Sequence, residues 1–536
     1  MTKVEDVLDD VLVVGGGPTG LLLASELVRR GVKCKLIDAN DGPLQWDRAT
    51  VVHPRSLEVF DSLGIVEPFL EQGAKQRIAK IHSDGNLLAM IELSLCGSRY
   101  PFNVGISEEV TERELTKHLE RLGGSVTRST KLVELVDRGD RVVATIERGG
   151  VKEQIGAKWV VGCDGLHSAT RAAAGIEMKG SDIEKPWAVF DATVPGWPDS
   201  YEGNFAYLDE PTVILTALPA HRWRVYMHPR SAESDLVAEA RETVGRYVPG
   251  IAFEDVSNPM RFHCHTKVAS AYRAGRILLA GDAAHVCSPA QGHGMNTGLG
   301  DAFNLGWKLA LVCKGLADTK LLDTYELERR AVAKHVMKEG EDFENALLLK
   351  DATARRERDE QIAGAFADDR ARHHEAAAEA ELDIGYAGSW IVLGDKHEGG
   401  GGGARGGAGG RIVDSIALAR SSVRWLHELT HRSGHTALIL GGPDSNAVEV
   451  ARLRDEIAMR GVPIIEESVA MTVHASAPSG VARMTPGAAA VLGVSGTTLL
   501  VVRPDLHIGL RADRDHVGAL ERYCGVVQGT RRGHAL

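Results

Sequence analysis

The first readable stretch of the chain is an apolar run, Val11-Leu-Val-Val14. It is followed by Gly15-Gly-Gly17-Pro18-Thr19-Gly20, a mostly apolar segment from Leu21 to Arg30, Gly31, and a second apolar run from Val32 to Ile37 that stops at Asp38. Short apolar runs bounded by glycine read as buried strands and the longer segment between them as a helix, so this unit is strand, glycine turn, helix, strand. Between about 80 and 160, β-rich stretches at 131–136 and 141–147 flank a helical pattern over 112–122, in which Leu115, Leu119 and Leu122 recur at helical spacing. From Trp187 to about His265 the pattern is mostly β, with alternation at Trp223-Arg-Val225-Tyr-Met227, which predicts an antiparallel sheet inserted into the first unit. Another strand (276–280) and helix (297–311) follow, then charged helical stretches to about Ala380.

Residues 399–410 are glycine except for Ala404, Arg405 and Ala408. A run with so few side chains builds no packed core and predicts a flexible linker or surface loop. Beyond it, a helix (423–431), a strand (436–440), a helix (447–460) and strands at 463–466 and 499–502 outline a separate α/β unit. The expected division is therefore 1–180 with 266–330 as the nucleotide-binding domain, part of 80–110 reaching the substrate region, 181–265 as the substrate sheet, 331–398 helical, 399–410 the glycine run and 411–536 the C-terminal domain.

Composition narrows the function classes. The 536 residues hold 62 Lys and Arg against 73 Asp and Glu, a net charge of −11, which argues against nucleic acid as a partner. No apolar run reaches the roughly 18–20 residues of a membrane span, and the first ten residues carry four acids (Glu5, Asp6, Asp9, Asp10) rather than a secretory leader. Seven scattered cysteines without a C-x-x-C read as reduced thiols, so a cytoplasmic location is expected. No metal-ligating pattern is singled out.

The chemistry begins at Gly15-x-Gly17-x-x-Gly20. The triplet follows a strand, opens a helix, and is answered 23 positions after Gly15 by Asp38 at a strand end. That is the whole dinucleotide fingerprint: glycines let the backbone approach a pyrophosphate, the helix N-terminus offers free N–H groups, and the acid accepts from a ribose. An acid at 38 favours an unphosphorylated ribose, as in FAD or NAD. Two further strand ends carry Cys163-Asp164-Gly165 and Gly281-Asp282.

With these motifs the chain resembles the class A flavoprotein monooxygenases, the aromatic hydroxylases related to p-hydroxybenzoate hydroxylase and to the phenol and polyketide hydroxylases. The resemblance runs in order from Val11 to about Ala333 and includes Arg48-Ala-x-x-x-x-Pro54-Arg55, Thr111-Glu-Arg113, Met295-Asn296-Thr297-Gly298 and Asp301-Ala-x-Asn304-Leu-x-Trp307-Lys308. It implies an α/β fold: a Rossmann-like FAD-binding domain with an inserted, mostly antiparallel β substrate domain. The C-terminal unit, through Val501-Val-Arg503-Pro504-Asp505 and Arg511, resembles the thioredoxin-like domain of those hydroxylases, with a structural or homodimer-contact role because it lacks a dithiol motif.

The implied activity is an FAD-dependent monooxygenation that consumes NADH or NADPH and O2 and hydroxylates a phenolic or electron-rich aromatic substrate through a flavin C4a-hydroperoxide. The alternatives are action on an antibiotic or polyketide (inactivation, epoxidation or Baeyer–Villiger-type insertion) and a non-catalytic flavin or aromatic-ligand binder. The resemblance makes Gly15, Gly17, Pro18, Thr19, Gly20 and Asp38 the nucleotide cradle, with Gly281 and Asp282 at the ribityl chain. It places Gly294, Met295 and Asn296 at a helix start aimed at the flavin N1–C2=O edge, Asp164 between flavin and pyridine nucleotide, and Arg48 and Arg113 on the cofactor. The chain departs from the family pattern at Glu108 and His293, where Gln, or Gln or Leu, is usual; His293 becomes a candidate for proton transfer. For the group that helps ionise a phenol, the candidates are Thr50 and, on the presumed substrate sheet, His221, Arg222, Tyr226 and His228.

Overall fold

The computed structural model describes residues 8–43, 49–288, 292–394, 407–411 and 425–529. At its centre lies a parallel sheet in the order Ile277–Leu279, Val151–Gly162, Leu8–Val14, Cys34–Ile37 and Val126–Thr127. Its register pairs Val11 with Cys34 on one side and with Trp159 on the other. Val11 to Val14 are 0–5% exposed, and their unbroken apolar run suits a strand covered on both faces. The outer half of the long Val151–Gly162 strand carries an antiparallel pair, Val142–Arg148 and Thr130–Asp137.

All the parallel strands end on one edge, and the glycine turn, Asp38, Asp164 and Asp282 follow those ends. Ligands of open parallel sheets gather at this edge. Behind it the Pro18–Val28 helix packs tightly on the His293–Cys313 helix. A Cβ on Gly298 would stand 2.4 Å from Thr19 Oγ1, and one on Gly306 2.6 Å from Glu26 Cβ, so neither position admits a side chain.

The second layer is a seven-stranded sheet, in the order Glu254–Phe262, Trp187–Thr193, Arg222–Met227, Val213–Leu218, Gly203–Tyr207, Ile78–Ser83 and Asn86–Glu92. It is antiparallel except where Gly203–Tyr207 pairs with Ile78–Ser83, so the sheet begun by the 181–265 segment is completed by the hairpin at 78–92. Trp223, Val225 and Met227 pack with Ala240 and Val244 of the covering Leu236–Gly245 helix. The alternate residues therefore face the nucleotide-binding domain.

Beyond residue 320 the helices Asp323–Leu347, Ala352–Ala365 and Asp369–Glu379 lead to a C-terminal six-stranded sheet. In that sheet His435–Gly441 runs parallel to Ile465–Thr472 and antiparallel to Thr497–Val502. The strand expected at 463–466 starts two residues later and extends to Thr472, because Pro463 stands in the turn that precedes it. Of the helix expected at 423–431, residues 423 and 424 lie outside the described residues, and the rest holds a single 3-10 turn, Leu426–Leu429. The glycine run is corrected in part. Its residues 399–406 are not among those described, but Gly409 donates to Ile508 O at 2.7 Å and accepts from Tyr386 N at 2.8 Å, so the end of the run is fixed backbone rather than a loose linker.

A buried polar network joins the C-terminal unit to the nucleotide-binding domain. Arg503 donates twice to Glu328, at 2.9 and 2.8 Å, and also to Asp505. Asp505 accepts from Asn304 and from Trp307 Nε1, both at 3.1 Å, while Lys308 donates to Glu328 at 2.7 Å. Two cations face two anions, so the network is neutral, as burial requires.

Candidate active site

A cavity of about 700 Å³ runs from the glycine turn to the inner face of the second sheet. At its first end Gly15 has φ +107°, and a Cβ there would lie 2.2 Å from Cys163 O; one on Gly20 would lie 1.9 Å from Gly15 O. Gly17 differs, because its Cβ would meet only Glu112 Oε1 at 3.9 Å, so its open side faces the cavity. Gly17 is also the N-cap of the Pro18–Val28 helix, with no side chain capping it. The free N–H groups and the positive end of the helix are thus left to a ligand. Asp38 accepts from Gly16 N at 2.5 Å and Asn40 N at 2.8 Å, with Arg128 Nη1 3.6 Å away. Pro18, Thr19 and Asp38 line the cavity, while Gly20 shapes the turn from behind.

Asp282 stands exposed on the cavity wall. The turn that carries it is braced by Asp301, which accepts from Gly281 N at 3.0 Å and is bonded by His285 and Arg329, both at 2.7 Å. Gly294 and Met295, in the first turn of the His293–Cys313 helix, also line the cavity. Glycine turn, paired carboxylates at two strand ends and an approaching helix start form one continuous trough, and the uncapped N–H groups beside Gly17 fit a dinucleotide pyrophosphate.

Other expected contacts fall differently. Asn296 turns inward, where Oδ1 accepts from His53 N and Ser56 Oγ, and Nδ2 donates to Val51 O and Gly292 O. It locks the loop at 51–56 to the helix start instead of facing the cavity. Asp164 lines the cavity, but its carboxylate accepts from Ser168 Oγ at 2.5 Å and from Thr170 N and Oγ1 at 2.9 and 3.0 Å, which caps the Ala169–Ala173 helix. Arg113 points out of the cavity toward Gln72 and Glu114. Its helix, Glu108–Arg121, turns Glu108 and Glu112 to the cavity, since residues four apart share a face and the next residue does not. Arg48 lies outside the described residues.

At the other end, Tyr226 Oη and Thr50 Oγ1 are 3.1 Å apart, both buried on the cavity wall. Burial pushes the Tyr226 phenol up, and the Arg224 guanidinium, hydrogen-bonded to it, works against that rise. Arg224 is itself held by Asp191 through two bonds, at 2.7 and 2.9 Å. The apolar wall includes Ile81, Ile91, Ala206, Ile214, Phe262 and Phe343.

Alternation puts residues 222, 224, 226 and 228 on one face, and only Tyr226 of the four lines the cavity. His228 is fully buried beside it, bonded to Glu344 Oε2 at 3.1 Å and packed on Trp187, which removes it from reach of a ligand. His221 stacks on Tyr201 and Arg222 bonds Ser257, both outside the cavity. His293 turns away from the cavity to bond Glu381 at 3.0 Å. The sequence reading missed Arg224 and Asp191, although an Arg two residues before Tyr226 on the same face was a usable signal.

Cys163, Cys264 and Cys287 also line the cavity, and all seven cysteines are free thiols. Burial pushes the Cys163 thiol well up and that of Cys287 up to about 12.

A dinucleotide trough opening into a hydroxyl-bearing apolar chamber is the layout of a flavoprotein that works on a second molecule. Residues 9–340 match the family described as FAD binding domain, and the chain belongs to it. It is 31% identical over 463 residues to the pentachlorophenol 4-monooxygenase of Sphingobium chlorophenolicum, covering 83% of this chain and 82% of that one. It is 33% identical over 358 residues to the 6-methylpretetramide 4-monooxygenase of Streptomyces rimosus, a match spanning 64% of this chain and 63% of the relative's length. Among solved structures, the anhydrotetracycline hydroxylase OxyS of Streptomyces rimosus superposes with a TM-score of 0.74 at 28% identity, over 97% of this chain and 99% of that one. Among the described residues, no helix is long and apolar enough to cross a membrane.

Proposed function

We propose that the protein is an FAD-dependent monooxygenase that consumes NADH or NADPH and O2 and hydroxylates a phenolic aromatic compound. The observation that carries this reading is the Tyr226–Thr50 hydroxyl pair at 3.1 Å, backed by Arg224 and set in an apolar wall across the cavity from the cofactor trough. Bound FAD supplies the redox chemistry, taking reducing equivalents from the nicotinamide and activating O2.

The chain does the rest. Gly15, Gly17, Pro18 and Thr19 receive the pyrophosphate, Asp38 the adenosine ribose, and Asp282, on the turn set by Gly281, the ribityl hydroxyls. Gly294 and Met295 bring a positive helix end to the flavin edge. Because Arg224 donates to Tyr226 Oη, the tyrosine's own proton points to Thr50 or to a substrate oxygen. Tyr226 thereby orients a phenol and stabilises its oxyanion, the more reactive form. The apolar wall keeps water away from the reacting ring.

A second reading, action on a polycyclic or antibiotic phenol, is supported by the likeness to the 6-methylpretetramide 4-monooxygenase and the anhydrotetracycline hydroxylase of Streptomyces rimosus. The C-terminal unit is read as thioredoxin-like, supported by its parallel His435–Gly441/Ile465–Thr472 pair joined through the Ala447–Met459 helix and its antiparallel pair ending in the His516–Gln528 helix. Stopped-flow absorbance of the FAD-loaded protein with NADH or NADPH, first anaerobic and then aerobic, over single-ring and polycyclic phenols tests the proposal. Flavin reduction accelerated by one phenol class, with coupled hydroxylated product, is expected. Flavin binding with no acceleration by any phenol and no product would overturn it and favour a non-catalytic binder.

A further inference from the structure

We propose that His53, His293 and Glu381 form a binding site for one divalent transition-metal ion of the zinc class, set behind the helix start that lines the cofactor trough. The three residues come from three elements: His53 caps the Pro54–Ser62 helix, His293 opens the His293–Cys313 helix, and Glu381 follows the Asp369–Glu379 helix. They are 0%, 6% and 5% exposed. One ligand atom from each lies within 4.8 Å of the others. His293 Nδ1 and Glu381 Oε1 are 3.0 Å apart, close to the edge of a tetrahedron whose metal–ligand bonds are about 2.0–2.2 Å.

The decisive group is His53. Asn103 Nδ2 donates to Glu379 Oε1 at 3.1 Å, which turns Asn103 Oδ1 toward His53 Nδ1, also at 3.1 Å. The amide oxygen only accepts, so the proton sits on Nδ1 and Nε2 carries a bare lone pair. That Nε2 is buried and has no hydrogen-bond partner. A histidine oriented through one ring nitrogen by a carbonyl, with the other nitrogen buried and unmet, is the arrangement of a metal ligand and its supporting partner. Two imidazoles and one carboxylate suit zinc and its neighbours in the first transition row, and leave a fourth position open.

Such an ion would tie the loop at 51–56, the start of the helix at Gly292–Met295 and the end of the 369–379 helix into one unit beneath the cofactor. The inference does not rest on the proposed hydroxylase activity. It is tested on the FAD-loaded full chain, stripped with a chelator and dialysed against Zn2+, with bound metal read by inductively coupled plasma mass spectrometry. One equivalent is expected. Co2+ should give a visible ligand-field band without the sulfur-to-metal charge transfer that the seven cysteines would cause. His53→Gln and Glu381→Gln should each lose the equivalent while flavin absorbance and circular dichroism stay unchanged. Asn103→Ala, which leaves all three ligands in place, should weaken uptake about 10–100-fold, and this variant keeps the test open if another loses its fold. Failure of the parent protein to take up stoichiometric metal, or uptake that survives both ligand substitutions, overturns the proposal.

Discussion

Asp191 and Arg224 stand directly opposite each other on neighbouring antiparallel strands and are joined by two bonds, at 2.7 and 2.9 Å, with both side chains buried. The pair is fixed by sheet register, so the guanidinium cannot wander, and its remaining reach is spent on the Tyr226 hydroxyl. A rigid bidentate pair aims its third contact better than a flexible one.

Tyr226→Phe removes the hydroxyl and little volume. Turnover with the preferred phenol should fall about 10²-fold or more, with flavin content and basal NAD(P)H oxidation nearly unchanged. Thr50→Val should cost less, because it leaves Tyr226 in place. Product formation per NAD(P)H oxidised is the measurement, and a Tyr226→Phe protein of full activity would remove Tyr226 from the chemistry.

Two glycines of the turn, two residues apart, should behave oppositely. Gly15→Ala places a methyl against Cys163 O in a backbone conformation that L-residues avoid, and the protein should fail to accumulate as a folded species. Gly17→Ala has room in the protein and intrudes only on the cradle. It should fold, yet bind FAD more weakly by about 1–3 kcal/mol, roughly 5- to 150-fold in Kd. Flavin titration with circular dichroism separates the two outcomes.

Arg503→Ala leaves Lys308 as the one cation of the network against Glu328 and Asp505, both buried and both held well into the ionised range by the Arg503 guanidinium against the cost of burial. Loss of about 3–5 kcal/mol is expected. Thermal unfolding followed by flavin release should report it, since the grip of Asp505 on Asn304 and Trp307 holds the middle of the helix whose start lines the trough.

His435 sits at the same junction, edge-on to Trp307 and Tyr523. Burial, with the Arg503 charge, pulls its imidazolium down to about 3, whereas the unfolded chain titrates near 6.5. The unfolded state therefore takes up the proton first, and stability is lost as pH falls from 7. Between pH 7 and pH 5 the loss from this residue is about 2 kcal/mol. His118 and His431, both drawn down to about 4 by burial and neighbouring arginines, act in the same direction. His435→Gln should flatten the slope of melting temperature against pH over that interval.

What the sequence disclosed and what it withheld divide along physical lines. Gly15, Gly17, Gly20 and Asp38 were legible because a turn and a strand end are set within about 25 residues of chain. Alternation at 222–228 gave the right face of the strand, but which of its four residues overlies the cavity depends on how the sheet is laid on the first domain. The choice of His228 over Arg224 fails for that reason. On the 108–121 helix the phase was the difficulty: one residue of rotation exchanges Arg113 for Glu112. The family resemblance placed Asn296 and His293 at the flavin, and the structure turns both side chains elsewhere, Asn296 to His53 of the 51–56 loop, 243 residues away, and His293 to Glu381, 88 residues away. The hairpin at 78–92 joins its sheet across more than a hundred residues, a pairing that local pattern does not encode.

The free thiols carry a consequence of their own. Burial first, and nearby carboxylates in several cases, raise the Cys34, Cys163, Cys287 and Cys313 thiols, and burial likewise raises Cys96 and Cys524. Peroxide attacks the thiolate, not the thiol. A catalyst that works with reduced flavin and oxygen sheds hydrogen peroxide whenever a turnover miscarries, and here the raised Cys163 and Cys287 thiols on the cavity wall stay protonated.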